Sequence, residues 1–134
     1  MITHMLKAKI HGATVTDANV NYEGSITIDE DLMDAVGIVE FEKVLVANLT
    51  SGSRLETYVI KGKRGNGDIC ANGAAAHHNK IGDKVLIISF CGLTDEELKK
   101  HKPSIVKVDS KNRPLISSAT YPAPIPSSSG RGLR

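Results

Sequence analysis

Aromatic residues are scarce in this 134-residue chain: it has no Trp, two Phe and three Tyr. The core must therefore be built from Val, Ile, Leu and Ala, and few rings are available to stack on nucleic-acid bases. Cysteine is equally sparse. Cys70 and Cys91 form no CxxC motif, so no disulfide framework is encoded and two free thiols in a reducing cytoplasm are expected. No apolar run approaches the roughly 18 residues of a membrane span, and no signal-peptide pattern opens the chain. A cytoplasmic protein without a membrane partner is expected. Net charge is only +2, too little for a nucleic-acid track or an anionic lipid surface. His4, His11 and His101 are scattered, and the adjacent His77 and His78 suit one metal poorly. With no HExxH motif, no metal site is expected.

What is present is a series of short extended segments punctuated by turns. Residues 4–10, 13–16 and 25–28 read as strands. Residues 43–49 and 54–60, joined by Thr50-Ser51-Gly52-Ser53, read as a hairpin. Residues 85–90 form a nearly continuous apolar run, as a buried strand does. Residues 105–108 and 115–116 read as further extended pieces, separated by a turn over 109–112. Asp29 is placed to cap a short helix: Glu30 and Asp31 fall in its first turn, Leu32, Met33 and Val36 share a face, and Gly37 stops it. Thr94-Asp95-Glu96-Glu97 is a capping box opening a second short helix that ends before Pro103. Residues 61–67 hold three glycines and three basic residues, an exposed loop that alone would suggest a nucleic-acid contact. The Pro/Ser/Gly-rich stretch 118–134 cannot bury enough apolar surface to order itself. Periodicity thus predicts one domain over 1–117, a small β-rich barrel or sandwich of about seven strands and two helices, followed by a disordered tail.

Several strings, in order and with hardly a gap over residues 1–117, resemble the bacterial aspartate 1-decarboxylase family. They are Met5-Leu6-Lys7-Ala8-Lys9-Ile10-His11, Asn21-Tyr22-Glu23-Gly24-Ser25-Ile26-Thr27-Ile28-Asp29, Arg54-Leu55-Glu56-Thr57-Tyr58, Asn72-Gly73-Ala74-Ala75-Ala76-His77, His101-Lys102-Pro103 and Asp109–Asn112. The resemblance implies a six- to seven-stranded double-psi β-barrel and a homotetramer. It implies conversion of L-aspartate to β-alanine and CO2 for pantothenate and coenzyme A synthesis. Gly12 departs from the pattern, standing where the family commonly has Arg.

Loss of CO2 from an α-carbon needs an electron sink, and no phosphate-binding loop or clear cofactor motif is present. The family's solution is a pyruvoyl group made from the chain. The resemblance implies autocatalytic cleavage of the zymogen at Gly24–Ser25, into residues 1–24 and 25 onward, with Ser25 becoming the pyruvoyl group. It makes Thr57 the candidate donor to the oxyanion formed at Gly24, with His11 assisting. The substrate amine is expected to form a Schiff base with the pyruvoyl carbonyl. Lys9 and Arg54 are the candidate carboxylate partners, and Tyr58 is the candidate proton donor. Asn72, Gly73, Ala74 and Ala75 are expected to line the substrate pocket, with Tyr22 nearby. Thr57 and Tyr58 are neighbours, so a regular strand would point them to opposite faces. A bulge, a barrel rim or a neighbouring subunit would reconcile them. Three other readings remain at this point: an unprocessed or non-enzymatic barrel acting as a binding module, a small-barrel nucleic-acid binder, and a decarboxylase for another acidic substrate such as glutamate. A maturation helper is neither required nor excluded by the sequence.

Overall fold

The computed structural model describes residues 1–115; the tail expected over 118–134, and Ile116, lie outside the described residues. The order is β1 (Ile2–Thr14), β2 (Asp17–Asn19), β3 (Ser25–Asp29), α1 (Glu30–Val36), β4 (Lys43–Asn48) and β5 (Arg54–Gly62). Then come β6 (Ile69–Asn72), a 3-10 segment (Gly73–His77), β7 (Lys84–Thr94), α2 (Asp95–Leu98) and β8 (Ser104–Lys107). The fold is mainly β. Eight strands share one sheet in the order β2-β6-β3-β5-β4-β7-β1-β8. The expected hairpin is β4–β5, paired antiparallel without a register break. Two strands lie outside the expected segments: β6, and the three-residue β2 parallel to it, each too short to carry a readable period.

The segments expected over 4–10 and 13–16 are one strand. β1 runs antiparallel to β7 through two register shifts, between Leu6 and Ala8 and between His11 and Ala13. Each bulge breaks the two-residue alternation by one position and bends the strand, so one strand reads as two. β1 also pairs in parallel with β8. Ile26, Ile28 and Ile69 near one end of the sheet order, and Val106 at the other, belong to one buried cluster with Ile10, Val44, Val46, Val59, Val85 and Ile87. The sheet therefore encloses a single aliphatic core.

Both helices begin as their sequences dictate. Thr94 accepts from the Glu97 backbone N–H and the Glu97 carboxylate accepts from the Thr94 N–H, completing the capping box. Leu32, Met33 and Val36 face the core, and Gly37 ends α1 at a φ of 77°. Lys7, the bulged residue of β1, donates to the Gly37 carbonyl at 2.8 Å and pairs with Glu42 at 2.9 Å. A cation thus sits at the helix C-terminus, where the dipole favours it.

Asp29 does more than cap. Its buried carboxylate accepts from the backbone N–H groups of Asp31 at 2.8 Å, Gly65 at 3.0 Å and Gly67 at 2.6 Å. The loop after β5 is thereby fastened to the start of α1. The same loop carries Arg64, which lies against Glu30, Asp31 and Asp34 of α1. The basic character noted over 61–67 is directed at this acidic helix. Burial pushes the Asp29 carboxyl up, but the donors from Gly67, Asp31 and Gly65 outweigh it and hold the group below the usual aspartate range. A carboxyl depressed in the folded state contributes stability that is full above the unfolded value, near pH 4, and is lost as pH falls through the folded value. Asp29→Ala should cost about 3 kcal/mol at neutral pH. It should also weaken the acid dependence of urea unfolding, leaving the share due to Asp83 and Asp109, whose carboxyls are held low as well. An unaltered acid limb in the variant would show that Asp29 is not a source of it.

Candidate active site

Gly24, Ser25, Asn72 and Gly73, all named from the sequence, converge at the start of β3 with the Tyr22 carbonyl beside them. Ser25 is 1% exposed and pairs in the antiparallel ladder with Asn72. The Asn72 amide donates to Ser25 Oγ at 3.1 Å and to Thr27 Oγ1 at 3.0 Å. Thr27 was not among the sequence candidates, although its place two residues after Ser25 puts it on the same strand face. Directly after Asn72, Gly73 takes a φ of 63°, and a Cβ there would lie 2.8 Å from Gly24 Cα and 2.9 Å from both Gly24 N and Tyr22 O. The backbone of residues 22–24 rests on a surface that only glycine leaves free. Gly24 itself is uncrowded, since a Cβ built on it meets nothing within 4 Å. The close approach is a property of Gly73.

Ser25 has a φ of 128°, a region used almost solely by glycine and costing about 1–3 kcal/mol elsewhere. The geometric cause of that cost is informative. In an L-residue the Cβ is turned about a third of a circle from its own carbonyl carbon around N–Cα, so this φ nearly eclipses Cβ with the preceding carbonyl carbon. The Ser25 side chain is therefore folded toward the Gly24 carbonyl. A five-membered ring through Oγ, Cβ, Cα, N and the Gly24 carbonyl carbon needs that torsion to be small.

The other candidates are arranged around the sheet. Ile26 pairs with Val59 in parallel register, so Ser25 and Tyr58 each stand one residue earlier on adjacent strands. Tyr58 is 40% exposed. β5 has no bulge against β4, and Thr57 therefore points to the face opposite Tyr58 and Arg54. A bulge does not reconcile Thr57 with Tyr58 within one chain. Lys9 and His11 lie on β1, with β7 and β4 between them and β5. Arg54, Ala47, Leu86 and His11 follow one rung across those four strands, three strand spacings or about 14 Å measured along the sheet. Ala74 is exposed and Ala75 buried in the 3-10 segment.

Burial lowers the His11 pKa, and the neighbouring charges of Lys9 and Lys107 lower it further. His11 is accordingly a neutral imidazole at pH 7, able to accept or donate one hydrogen bond. A separate cleft of about 450 Å³ lies between α1 and the β1–β8 edge, lined by Lys7, Asp34, Val36, Cys91, His101 and Ser104 among others. None of its lining residues is among those gathered at Ser25. Lys7 and Asp34 in its wall are engaged by Glu42 and Arg64 respectively. Among the described residues, no group of three or more His, Cys, Asp or Glu side chains is placed to hold a metal ion, and no helix is long and apolar enough to cross a membrane.

The geometry at Gly24–Ser25 defines a class of protein organised around one strained backbone torsion. Comparison with known proteins narrows the class. Residues 1–115 match the family model described as Aspartate decarboxylase. A relative named Aspartate 1-decarboxylase from Caldicellulosiruptor saccharolyticus is 61% identical over 113 residues, covering 84% of this chain and 88% of the relative. Relatives of the same name from Bacillus cereus (strain G9842) and Ruminiclostridium cellulolyticum are 58% and 56% identical, covering 84% and 81% of this chain and 89% and 85% of their own. The chain belongs to the aspartate decarboxylase family.

The one departure noted from the family pattern has a local explanation. Gly12 occupies the second bulge of β1 at a φ of 82°, where glycine is free of the strain that any side chain would meet. At Gly73 the demand is steric as well. Gly73→Ala should displace residues 22–24 and lower stability by about 2–3 kcal/mol. A variant with a wild-type melting point would mean that this contact yields readily.

Proposed function

We propose that the chain is a pyruvoyl-dependent carboxy-lyase that converts L-aspartate to β-alanine and CO2, and that it makes its own prosthetic group by cutting Gly24–Ser25. Family membership supports aspartate as substrate. The observation that carries the self-cleavage is the φ of 128° at Ser25, which brings Cβ over the Gly24 carbonyl carbon while Asn72 holds Oγ.

The Ser25 hydroxyl attacks that carbonyl carbon. The peptide C–N bond breaks, the nitrogen takes the hydroxyl proton, and an ester replaces the amide. Relief of the eclipsed torsion favours this step over a relaxed Gly-Ser peptide. Loss of the Ser25 α-proton then expels residues 1–24 as a carboxylate and leaves dehydroalanine. Water adds and ammonia leaves, so the second chain begins with a pyruvoyl group. Thr57 and neutral His11 are the proposed donors to the oxyanion at Gly24.

The residues at hand fit such a group: the Asn72 amide reaches position 25, Thr27 Oγ1 shares that amide, and Gly73 puts no side chain against the adjoining backbone. Once formed, its carbonyl supplies the electron sink for loss of CO2. Arg54 and Lys9 bind the substrate carboxylates, Tyr58 delivers a proton to the former α-carbon, and Ala74, Ala75 and Tyr22 line the pocket. Because these groups are spread over β1 and β5, the site is best completed by a second copy of the chain, within the homotetramer that the family resemblance implies. The exposed Tyr22, Tyr58, Phe41 and Phe90 support such an assembly, since unpaired large apolar side chains favour burial between subunits. In this reading residues 1–115 form one double-psi barrel, β-alanine feeds pantothenate synthesis, and the enzyme works in the cytoplasm.

Intact mass under denaturing conditions tests the maturation. Two pieces are expected, residues 1–24 and 25–134, with the larger lighter by one ammonia than a Ser-initiated chain. Ser25→Ala should stay as one inactive chain, and aspartate turnover by that variant would end the proposal. Tyr58→Phe should be cut normally yet lose at least about a hundredfold in kcat; full turnover would remove Tyr58 as the proton donor.

A further inference from the structure

Gly73 must stand at one depth. Too far from Gly24, it ceases to support residues 22–24; closer than its present contact, it collides with them. On one side the depth is set by Asn72, the last residue of the β3–β6 ladder; on the other it depends on what lies behind the 3-10 segment.

Ala75, two residues beyond Gly73, accepts at its carbonyl from the Asn79 amide at 3.0 Å and from the His78 backbone N–H at 3.2 Å. Asn79 is 2% exposed. Its own Oδ1 accepts from the Asn48 amide at 3.1 Å. Asn48, 3% exposed, also donates to the His78 carbonyl at 3.1 Å and to the Asp83 carboxylate at 2.8 Å. Its Oδ1 accepts from the backbone N–H groups of Thr50 and Ser51, each at 2.8 Å. A buried polar chain thus runs from the β4–β5 turn, through Asn48 and Asn79, to the back of the segment that carries Gly73. Such groups are held tightly, because an unmade hydrogen bond in the interior is costly.

We propose that Asn79, braced by Asn48, is a positioning residue for self-cleavage: it sets the depth at which Gly73 supports Gly24 and so keeps Ser25 in its eclipsed torsion. Asn79 touches neither Ser25 nor Gly24 and acts only through Ala75 and Gly73. This rests on the self-cleavage reading above. A displacement of the support by a fraction of an ångström would let Ser25 relax to an ordinary extended torsion and turn its side chain away from the Gly24 carbonyl.

The test compares the rate of cutting, followed by intact mass, in full-length wild type, Asn79→Ala, Asn79→Asp and Val106→Ala. The last removes core volume from β8 and controls for loss of stability alone. Asn79→Ala should be cut about ten- to a hundredfold more slowly, while Val106→Ala keeps the wild-type rate. Asn79→Asp adds a readout that simple destabilisation does not move. As a carboxylate it repels the Ala75 carbonyl; protonated, it can donate to it again. Its cutting rate, relative to wild type, should therefore rise as pH falls through the carboxyl range. Asp83, His77, His78 and Lys80 face this region in both proteins, so the wild-type profile accounts for them. Wild-type rates in Asn79→Ala would overturn the inference. If that variant does not fold, an Asn79→Asp profile parallel to wild type would overturn it instead. A wild-type chain that is never cut would bring down the self-cleavage reading itself, and this one with it.

Discussion

A serine is held in a backbone torsion that glycine alone adopts easily, and much of the surrounding structure serves to keep it there. Left to itself, Ser25 would relax into the extended region at a gain of about 1–3 kcal/mol. It does not, because the residues after it are committed. Ile26 and Ile28 are locked in the core and in ladders with β5 on one side and β6 on the other. The residues before it lie on Gly73. Between these two fixed ends the strain collects at the Ser25 torsion. The Asn72 amide then holds the side chain as well, so neither backbone nor hydroxyl can drift.

The same economy recurs elsewhere: buried polar side chains take the place of regular backbone pairing where the chain turns. Asp29 gathers the N–H groups of a loop and a helix start. Asn112, itself at a φ of 61°, accepts from the Thr14 N–H at 2.7 Å and donates to the carbonyls of Thr14 and Gly67. It thereby ties the end of β1, the loop before β6 and the segment after β8 into one knot. Asn48 does the like for the β4–β5 turn. In a domain with few aromatics and a modest aliphatic core, these satisfied polar centres define which loop lies where.

Features written in adjacent residues were legible in the sequence. The cap at Asp29, the stop at Gly37, the capping box at Thr94 and the β4–β5 hairpin need only local chemistry, and all four are present as expected. Features that depend on distant partners were not. β1 looked like two strands because its bulges are defined only against β7. Ile69–Asn72 showed no strand signal of its own and is extended because β3 and β2 flank it. Around the candidate site, Ser25, Asn72 and Gly73 were named through family resemblance, but their contact depends on the β3–β6 register. The torsion of Ser25 and the bracing by Asn79 were out of reach for the same reason. The opposite orientations of Thr57 and Tyr58 were anticipated from strand alternation, and the regular ladder of β5 keeps that separation.

The position of the Gly24–Ser25 bond in the topology has a thermodynamic consequence. All of β1 and β2 lie before it, and β1 is clasped along its length by β7 and at its centre by β8, while β2 is held by β6. Scission there would not release the shorter piece; it would leave a non-covalent heterodimer with an intact core. Folding would change its molecularity. Before the cut the chain can refold alone at any dilution, whereas afterward two strands' worth of sheet must be recaptured from solution by second-order encounter. Maturation would in this way close off the route back, making the processed molecule one that is assembled once and, if denatured at low concentration, not recovered.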